Sequence, residues 1–171
     1  MGYGMILALG SAGLAALLPG IGSAIGIRIA GRSATGVLSE KPERYAQMFL
    51  MVVLPGTQGF YGFAMAFLVL FKLNLFGGGE VVALSVMKSL QVLAACLLIG
   101  FAGLVTAILQ GRVCAGGIMM AAKQPELAFK AGVVYAVMVE VYAVLALLIT
   151  FLALWFASGE VNLRLQTCLV A

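Results

Sequence analysis

The residue most able to do chemistry in this chain is Glu140, the only acidic residue inside its four long apolar segments. Every other residue in the run 135–144 is apolar or aromatic. An ionised carboxylate at such a depth in a membrane costs about 2.5 kcal/mol or more, so acids there are rare and mark ion or proton pathways. Glu140 is therefore predicted to have a function. The alternative, a structural acid that only forms a hydrogen bond with a neighbour, is disfavoured.

Four more polar residues fall at comparable depth and could join Glu140. Thr57 and Tyr61 lie one helical turn apart with Gln58 beside them, and Gln110 ends the third apolar segment. Each could instead link helices, since such hydrogen bonds in membranes are common and contribute about 1 kcal/mol or less. Their convergence with a single acid favours a binding site. Tyr61 is predicted to donate its hydroxyl to Glu140 rather than touch an ion.

Pro55 adds a main-chain oxygen to this set. A proline removes a backbone donor and displaces the carbonyl of the preceding turn, which predicts a free carbonyl near Leu54. Carboxylate, hydroxyl, amide and carbonyl oxygens are the ligands of hard cations, and one carboxylate balances a monovalent charge. A divalent ion would call for a second acid at this depth. The predicted site consists of Leu54, Thr57, Gln58, Gln110 and Glu140.

The elements that must position these residues are membrane helices. Hydrophobic residues make up 64% of the chain and charged residues 9%, with a mean hydropathy of +1.16, which excludes a soluble domain of 171 residues. A span needs about 20 apolar residues. The predicted fold is all-α, with spans at 3–27, 45–71, 81–109 and 127–156. The first span is too long, and too poor in preceding positive charge, for a cleaved signal peptide.

Basic residues predict the topology. They cluster around the first connection (Arg28, Arg32, Lys41 and Arg44) and the third (Arg112, Lys123 and Lys130), whereas the opposite side has only Lys72, Lys88 and Arg164. By the positive-inside rule these two connections face the cytoplasm, and both termini and the connection 77–80 lie outside. No basic stripe interleaved with aromatics indicates nucleic acid. Cys96, Cys114 and Cys168 have neither disulfide nor metal-site spacing.

The chain also repeats itself. The hexapeptide beginning at Gly31 in the first connection recurs at Gly111 in the third. Two tandem helical hairpins are predicted, 1–76 and 77–171, and both begin outside. Such parallel repeats weaken any analogy with inverted-repeat transporters. Aligning the second helices of the hairpins through Pro42 and Pro125, without gaps, puts Thr57 where Glu140 stands, so one half alone carries the acid.

Small residues mark the first and third spans. They recur at four-residue intervals, which permits close helix packing in a membrane. The pattern fails the phosphate-binding motifs GxGxxG and GxxxxGK. The first and third spans are thus predicted to form an inner layer, and the bulkier second and fourth an outer one. The stripes are Ala12, Ala16, Gly20 and Ala24, with Gly22 and Gly26 beside them, and Gly103, Ala107, Gly111 and Ala115.

Three motifs, LPGTQGFYG at 54–62, LQGR at 109–112 and MVEVYA at 138–143, resemble the proteolipid subunits of V-type rotary ATPases. The resemblance covers essentially the whole chain and is closest to the prokaryotic sodium-translocating branch. In that branch the residues matching Leu54, Thr57, Gln58, Gln110 and Glu140 surround the ion, and a tyrosine matching Tyr61 hydrogen-bonds the glutamate.

The resemblance implies a membrane rotor. Several copies would close into a homo-oligomeric ring, a stator subunit would supply an arginine, and a central stalk would seat on the cytoplasmic loops. Ions would ride on the glutamate while a separate soluble head hydrolyses ATP. One acid for four helices favours pumping over synthesis, since fewer ions pass per turn. With no nucleotide site, His or Asp, the chain itself is predicted to be non-catalytic.

Three alternatives remain at this point. The first is the same rotor coupled to H⁺. The second is a stand-alone channel or transporter of small cations, and the third is a purely structural four-helix membrane protein. Na⁺ is favoured over H⁺ because replacing its hydration shell takes several oxygens at once, and this chain offers more of them than a proton carrier needs.

Overall fold

The computed structural model describes residues 2–76 and 84–157 and the backbone of residues 158–170. All regular structure in these residues is helical. The helices are α1 (Tyr3–Leu38), α2 (Tyr45–Val53), α3 (Thr57–Lys72), α4 (Val86–Ala121) and α5 (Pro125–Val170), with 3-10 turns at Pro42–Arg44 and Leu54–Gly56. Within the described residues four segments are long and apolar enough to cross a membrane, which confirms the predicted all-helical membrane fold. They are Tyr3–Leu38, Pro42–Lys72, Val86–Ala121 and Pro125–Ala157.

The first and third spans are longer than their apolar runs suggest. Both α1 and α4 have 36 residues, and a helix of that length measures about 54 Å against a hydrocarbon core of roughly 30 Å. The hexapeptides that begin at Gly31 and Gly111 lie inside these helices, so their assignment to connections is wrong. Hydropathy marks where a helix is apolar, whereas Arg and Ala continue a helix readily into water.

The connections are correspondingly short. The first comprises residues 39–44, which include the 3-10 turn, and the third comprises residues 122–124. Arg28, Arg32 and Arg112 are therefore helical residues beside the connections rather than parts of them. The predicted connection 77–80 and the predicted start of the third span at Val81 lie outside the described residues, as do the side chains of Arg164 and Cys168.

Backbone contact between α1 and α4 depends on glycine. A Cβ atom built on Gly111 would lie 2.5 Å from the Cα of Gly26, and one on Gly22 would lie 2.6 Å from the carbonyl oxygen of Leu104. Ordinary Cβ contacts begin at 3.4 Å, so only glycine allows this approach. The predicted close packing of the first and third spans is confirmed.

The line of contact on α1 differs from the predicted stripe. It passes through the buried residues Pro19, Gly22, Gly26 and Ala30, whereas Ala24 is exposed. A strict four-residue spacing advances by about 40° more than one full turn at each step, so it drifts off a straight contact face. Alternating spacings of three and four residues follow the face more closely.

The core consists of two apolar clusters with a polar layer between them. One cluster lies beside the short connections and includes Met48, Met51 and Cys114, and the other, towards the opposite end, includes Ile99 and Val69. Cys96 and Cys114 are buried free thiols. In the most apolar stretch of the fourth span 17% of the residues are buried, against 33% or more in the other three spans. Most of the surface of the fourth span therefore faces outward.

Candidate ion-binding site

A break in the second span positions its polar side chains. The chain leaves α2 through the 3-10 turn Leu54–Gly56 and starts α3 at Thr57, because Pro55 cannot donate the hydrogen bond that would continue the helix. Pro55 is fully buried against α1, where a Cβ atom on Gly26 would lie 2.7 Å from the proline Cβ. Thr57 and Gln58 consequently occupy the first turn of α3.

Three neutral donors hold the Glu140 carboxylate. The hydroxyl of Tyr61 donates to Oε1 at 2.5 Å. Gln58 and Gln110 each donate from Nε2 to Oε2, at 3.0 and 2.7 Å. Glu140 forms no ion pair with any residue in the described part of the chain. Hydrogen bonds to an ionised acceptor are roughly twice as strong as neutral ones, so this set stabilises the charged form without a positive side chain.

The two glutamines link α3, α4 and α5 through hydrogen bonds. Both side chains are fully buried. Gln58 Nε2 also donates to Gln110 Oε1 at 2.7 Å, and Gln110 Nε2 donates to the main-chain oxygen of Ala136 at 3.0 Å. Ala136 precedes Glu140 by one turn on α5, so Gln110 holds both the backbone and the carboxylate of that helix. The network fixes the direction in which the carboxylate points.

Thr57 and Leu54 lie at the edge of this network. The hydroxyl of Thr57 donates to the Leu54 carbonyl at 2.9 Å and lies 3.4 Å from Gln58 Oε1. The main-chain N–H of Thr57 donates to the same carbonyl. The prediction of a free carbonyl at Leu54 is therefore wrong in detail, because the 3-10 turn that Pro55 produces gives this oxygen two donors.

The oxygen atoms gathered here are of the type that hard cations prefer, and the single carboxylate matches a monovalent charge. Glu140, Thr57, both glutamines and the Leu54 carbonyl supply oxygen atoms within a connected network. Among the described residues no three His, Cys, Asp or Glu side chains come together as a metal-binding group. A divalent ion, which usually takes several carboxylates, fits such a site poorly.

Comparison with known proteins assigns the chain to one family. The family of ATP synthase C subunits matches residues 10–69 and 93–153, once in each half of the chain. The K subunit of the V-type sodium ATPase of Enterococcus hirae is 42% identical over 149 residues, which cover 87% of this chain and 90% of that protein. The chain belongs to the ATP synthase C-subunit family.

A second relative agrees with this assignment. The K subunit of the A-type ATP synthase of Methanocaldococcus jannaschii is 36% identical over 150 residues, or 88% of this chain, and the chain spans 62% of that protein's length. As a proteolipid rotor subunit of a rotary ATPase, the chain is an integral multi-pass membrane protein and a non-catalytic, ion-translocating component. These predictions from sequence are confirmed. The family membership disfavours a stand-alone channel and a purely structural protein. The hairpin division at residue 76 stays a prediction.

One residue near the site of this rotor subunit has no part in the predicted set. The hydroxyl oxygen of Ser23, on α1, accepts a hydrogen bond from the main-chain N–H of Gly59 at 2.9 Å. Gly59 directly follows Gln58. In the sequence Ser23 lies among small residues whose spacing indicates helix packing, and no motif distinguishes it. Its contact with the second span exists only in the folded chain.

Proposed function

We propose that this protein belongs to the rotor of a V-type ATPase and carries Na⁺ across the membrane on Glu140 while ATP hydrolysis drives rotation. The observation that carries the proposal is the convergence of two buried amides, Gln58 and Gln110, on the carboxylate. A proton carrier needs little more than an acid and a hydrogen-bond partner. The name of the Enterococcus hirae relative, the K subunit of a V-type sodium ATPase, supports the same ion.

Na⁺ is the cargo in this proposal and binds to oxygen atoms alone. Both amide groups rotate by half a turn about their last side-chain bond, so that Oε1 replaces Nε2 beside the carboxylate. Several oxygens together then replace the lost hydration shell. Li⁺ is tolerated and K⁺ is rejected as too large. The Leu54 carbonyl exchanges the hydrogen bond from the Thr57 hydroxyl for the ion. The other ligands are Thr57 Oγ1, Gln58 Oε1, Gln110 Oε1 and the Glu140 carboxylate.

Release of the ion leaves a charge that the protein must stabilise. A bare carboxylate in a medium of low dielectric constant is costly. Tyr61 is placed to lower that cost because its hydroxyl already donates to Glu140 Oε1 at 2.5 Å. The donor groups of Gln58 and Gln110 act on the other oxygen. The rotor thereby exchanges an ion for hydrogen bonds during each transfer.

Several copies of the chain form a closed ring in this proposal. The stator subunit supplies an arginine that displaces the ion, and the central stalk seats on the two short connections. These connections face the cytoplasm and both termini lie outside, in agreement with the clustering of basic residues. Lys41 donates to the main-chain oxygen of Ala122 and Arg44 to that of Ala121. These bonds join the first connection to the end of α4, so the two connections form one continuous surface.

Carbodiimide labelling tests the ion. The reagent attacks the protonated acid, so Na⁺ should protect Glu140 in the purified ring. Removing one ligand oxygen in Thr57→Val should raise the Na⁺ concentration for half-protection about tenfold, which corresponds to a lost hydrogen-bond-sized interaction of about 1.4 kcal/mol. Thr106→Val is the matched control, because the Thr106 hydroxyl donates to Ala102 of its own helix at 2.7 Å. Glu140→Gln should assemble but neither label nor pump.

The outcomes separate the candidates. Labelling that responds to pH but not to Na⁺ would refute the sodium proposal and leave a proton-coupled rotor with the same architecture. Residual ion-coupled transport in Glu140→Gln would put the carrier at another residue. Co-purification with soluble ATPase subunits tests membership in the complex independently of the ion. Retention of those subunits supports membership, and their absence contradicts it.

A further inference from the structure

The first turn of α3 has an unusual capping arrangement. The N-cap residue is Gly56, which has no side chain to accept a hydrogen bond, and its φ and ψ of −80° and −21° are helical. A side chain reaches back to the third N–H of a helix from an extended N-cap conformation. No residue placed at this position of the second span would therefore cap the helix well from within.

Ser23 supplies an acceptor from another helix. Counting from Gly56, the residue at the third helical position is Gly59, and its N–H donates to Ser23 Oγ at 2.9 Å. This is the bond that an N-cap serine makes in an ordinary helix. Ser23 is 6% exposed, so water cannot readily replace it. A helix start inside a membrane requires such a partner because an unsatisfied N–H is costly there.

Two other hydroxyls on α1 and α4 form hydrogen bonds within their own helix. Ser11, which is fully buried on α1, donates to the Leu7 carbonyl of its own helix at 2.7 Å. Thr106 likewise donates to Ala102 within α4. Such bonds within one helix place nothing in the second span. Ser23 instead accepts a bond between helices, at the turn that carries Thr57 and Gln58.

We propose that Ser23 is a positioning residue for the ion site, acting as a trans N-cap that fixes the turn from Leu54 to Gly59. The inference rests on the proposed sodium function and names a residue that sets the affinity of that site. Helix α1 also lies close to this turn at two points. A Cβ atom built on Gly59 would lie 3.2 Å from Ser23 Oγ, and one built on Gly26 would lie 2.7 Å from Pro55 Cβ. With Ser23 replaced by alanine the Gly59 N–H loses this acceptor, and the oxygens of Leu54 and Thr57 shift.

The test compares Ser23→Ala with Ser11→Ala in the complete ring. Protection of Glu140 from carbodiimide is titrated with Na⁺ and separately with Li⁺. Ser23→Ala should raise the half-protecting Na⁺ concentration about fivefold, the typical effect of a lost N-cap, and should change the ratio of the Na⁺ and Li⁺ midpoints. Ser11→Ala should match wild type in the midpoints for both ions.

Each result decides between the two proposals. If wild-type Glu140 is protected by Na⁺ and Ser23→Ala has wild-type midpoints for both ions, the positioning role is refuted while the sodium function stands. Equal weakening by Ser11→Ala would also refute it, because loss of any buried serine would then suffice. If wild type shows no protection by Na⁺, both proposals are wrong.

Discussion

Replacing Gly111 with alanine tests how far the site depends on helix contact. The new Cβ atom would lie 2.5 Å from the Cα and carbonyl oxygen of Gly26. Ordinary contact starts at 3.4 Å, so α1 and α4 must separate by roughly 1 Å, and rigid backbone on both sides cannot yield locally. Such overpacking costs about 1 to 3 kcal/mol. The gain in helix propensity from glycine to alanine offsets up to about 1 kcal/mol.

The matched control is Gly116→Ala on the same helix, since nothing lies within 4 Å of a Cβ atom built there. We expect Gly111→Ala to be less stable than this control by about 1 to 3 kcal/mol in an unfolding titration with a denaturing detergent. Because Gln110 is the adjacent residue, the same variant should also weaken protection by Na⁺. A Gly111→Ala ring as stable as the Gly116→Ala ring would refute the backbone contact.

Two further predictions concern the acid and the connections. Tyr61→Phe removes one of three donors to Glu140, so carbodiimide labelling in Na⁺-free buffer should be about threefold to tenfold faster. Tyr142→Phe, on the exposed face, should label at the wild-type rate. Equal labelling rates in the two variants would contradict the hydrogen bond. Replacing both Lys41 and Arg44 with glutamine removes two charged donors from the end of α4. The free energy of unfolding should fall by about 1 to 2 kcal/mol in the same titration. A double variant as stable as Lys123→Gln would show that these two hydrogen bonds do not stabilise the helix end.

The amino-acid sequence was sufficient to establish the membrane class and the four spans, and it predicts a function for Glu140. These follow from local properties: apolar runs longer than a bilayer is thick, and an acid whose burial cost requires a function. The position of Gln58 and Tyr61 relative to each other also follows from helix periodicity alone. Helix ends were predicted less well, because α1 and α4 continue past the apolar runs that marked them.

Which groups meet across helices depends on the tertiary structure. Gln58, Gln110 and Glu140 lie on three different helices, and their distances depend on how closely the glycines of α1 and α4 approach. The 3-10 turn directs both donors of Thr57 to the Leu54 carbonyl. Ser23 became a partner of the second span in the same way, through a bond between residues 36 positions apart. Helix spacing and rotation are set by packing over the whole bundle, and no local sequence pattern encodes them.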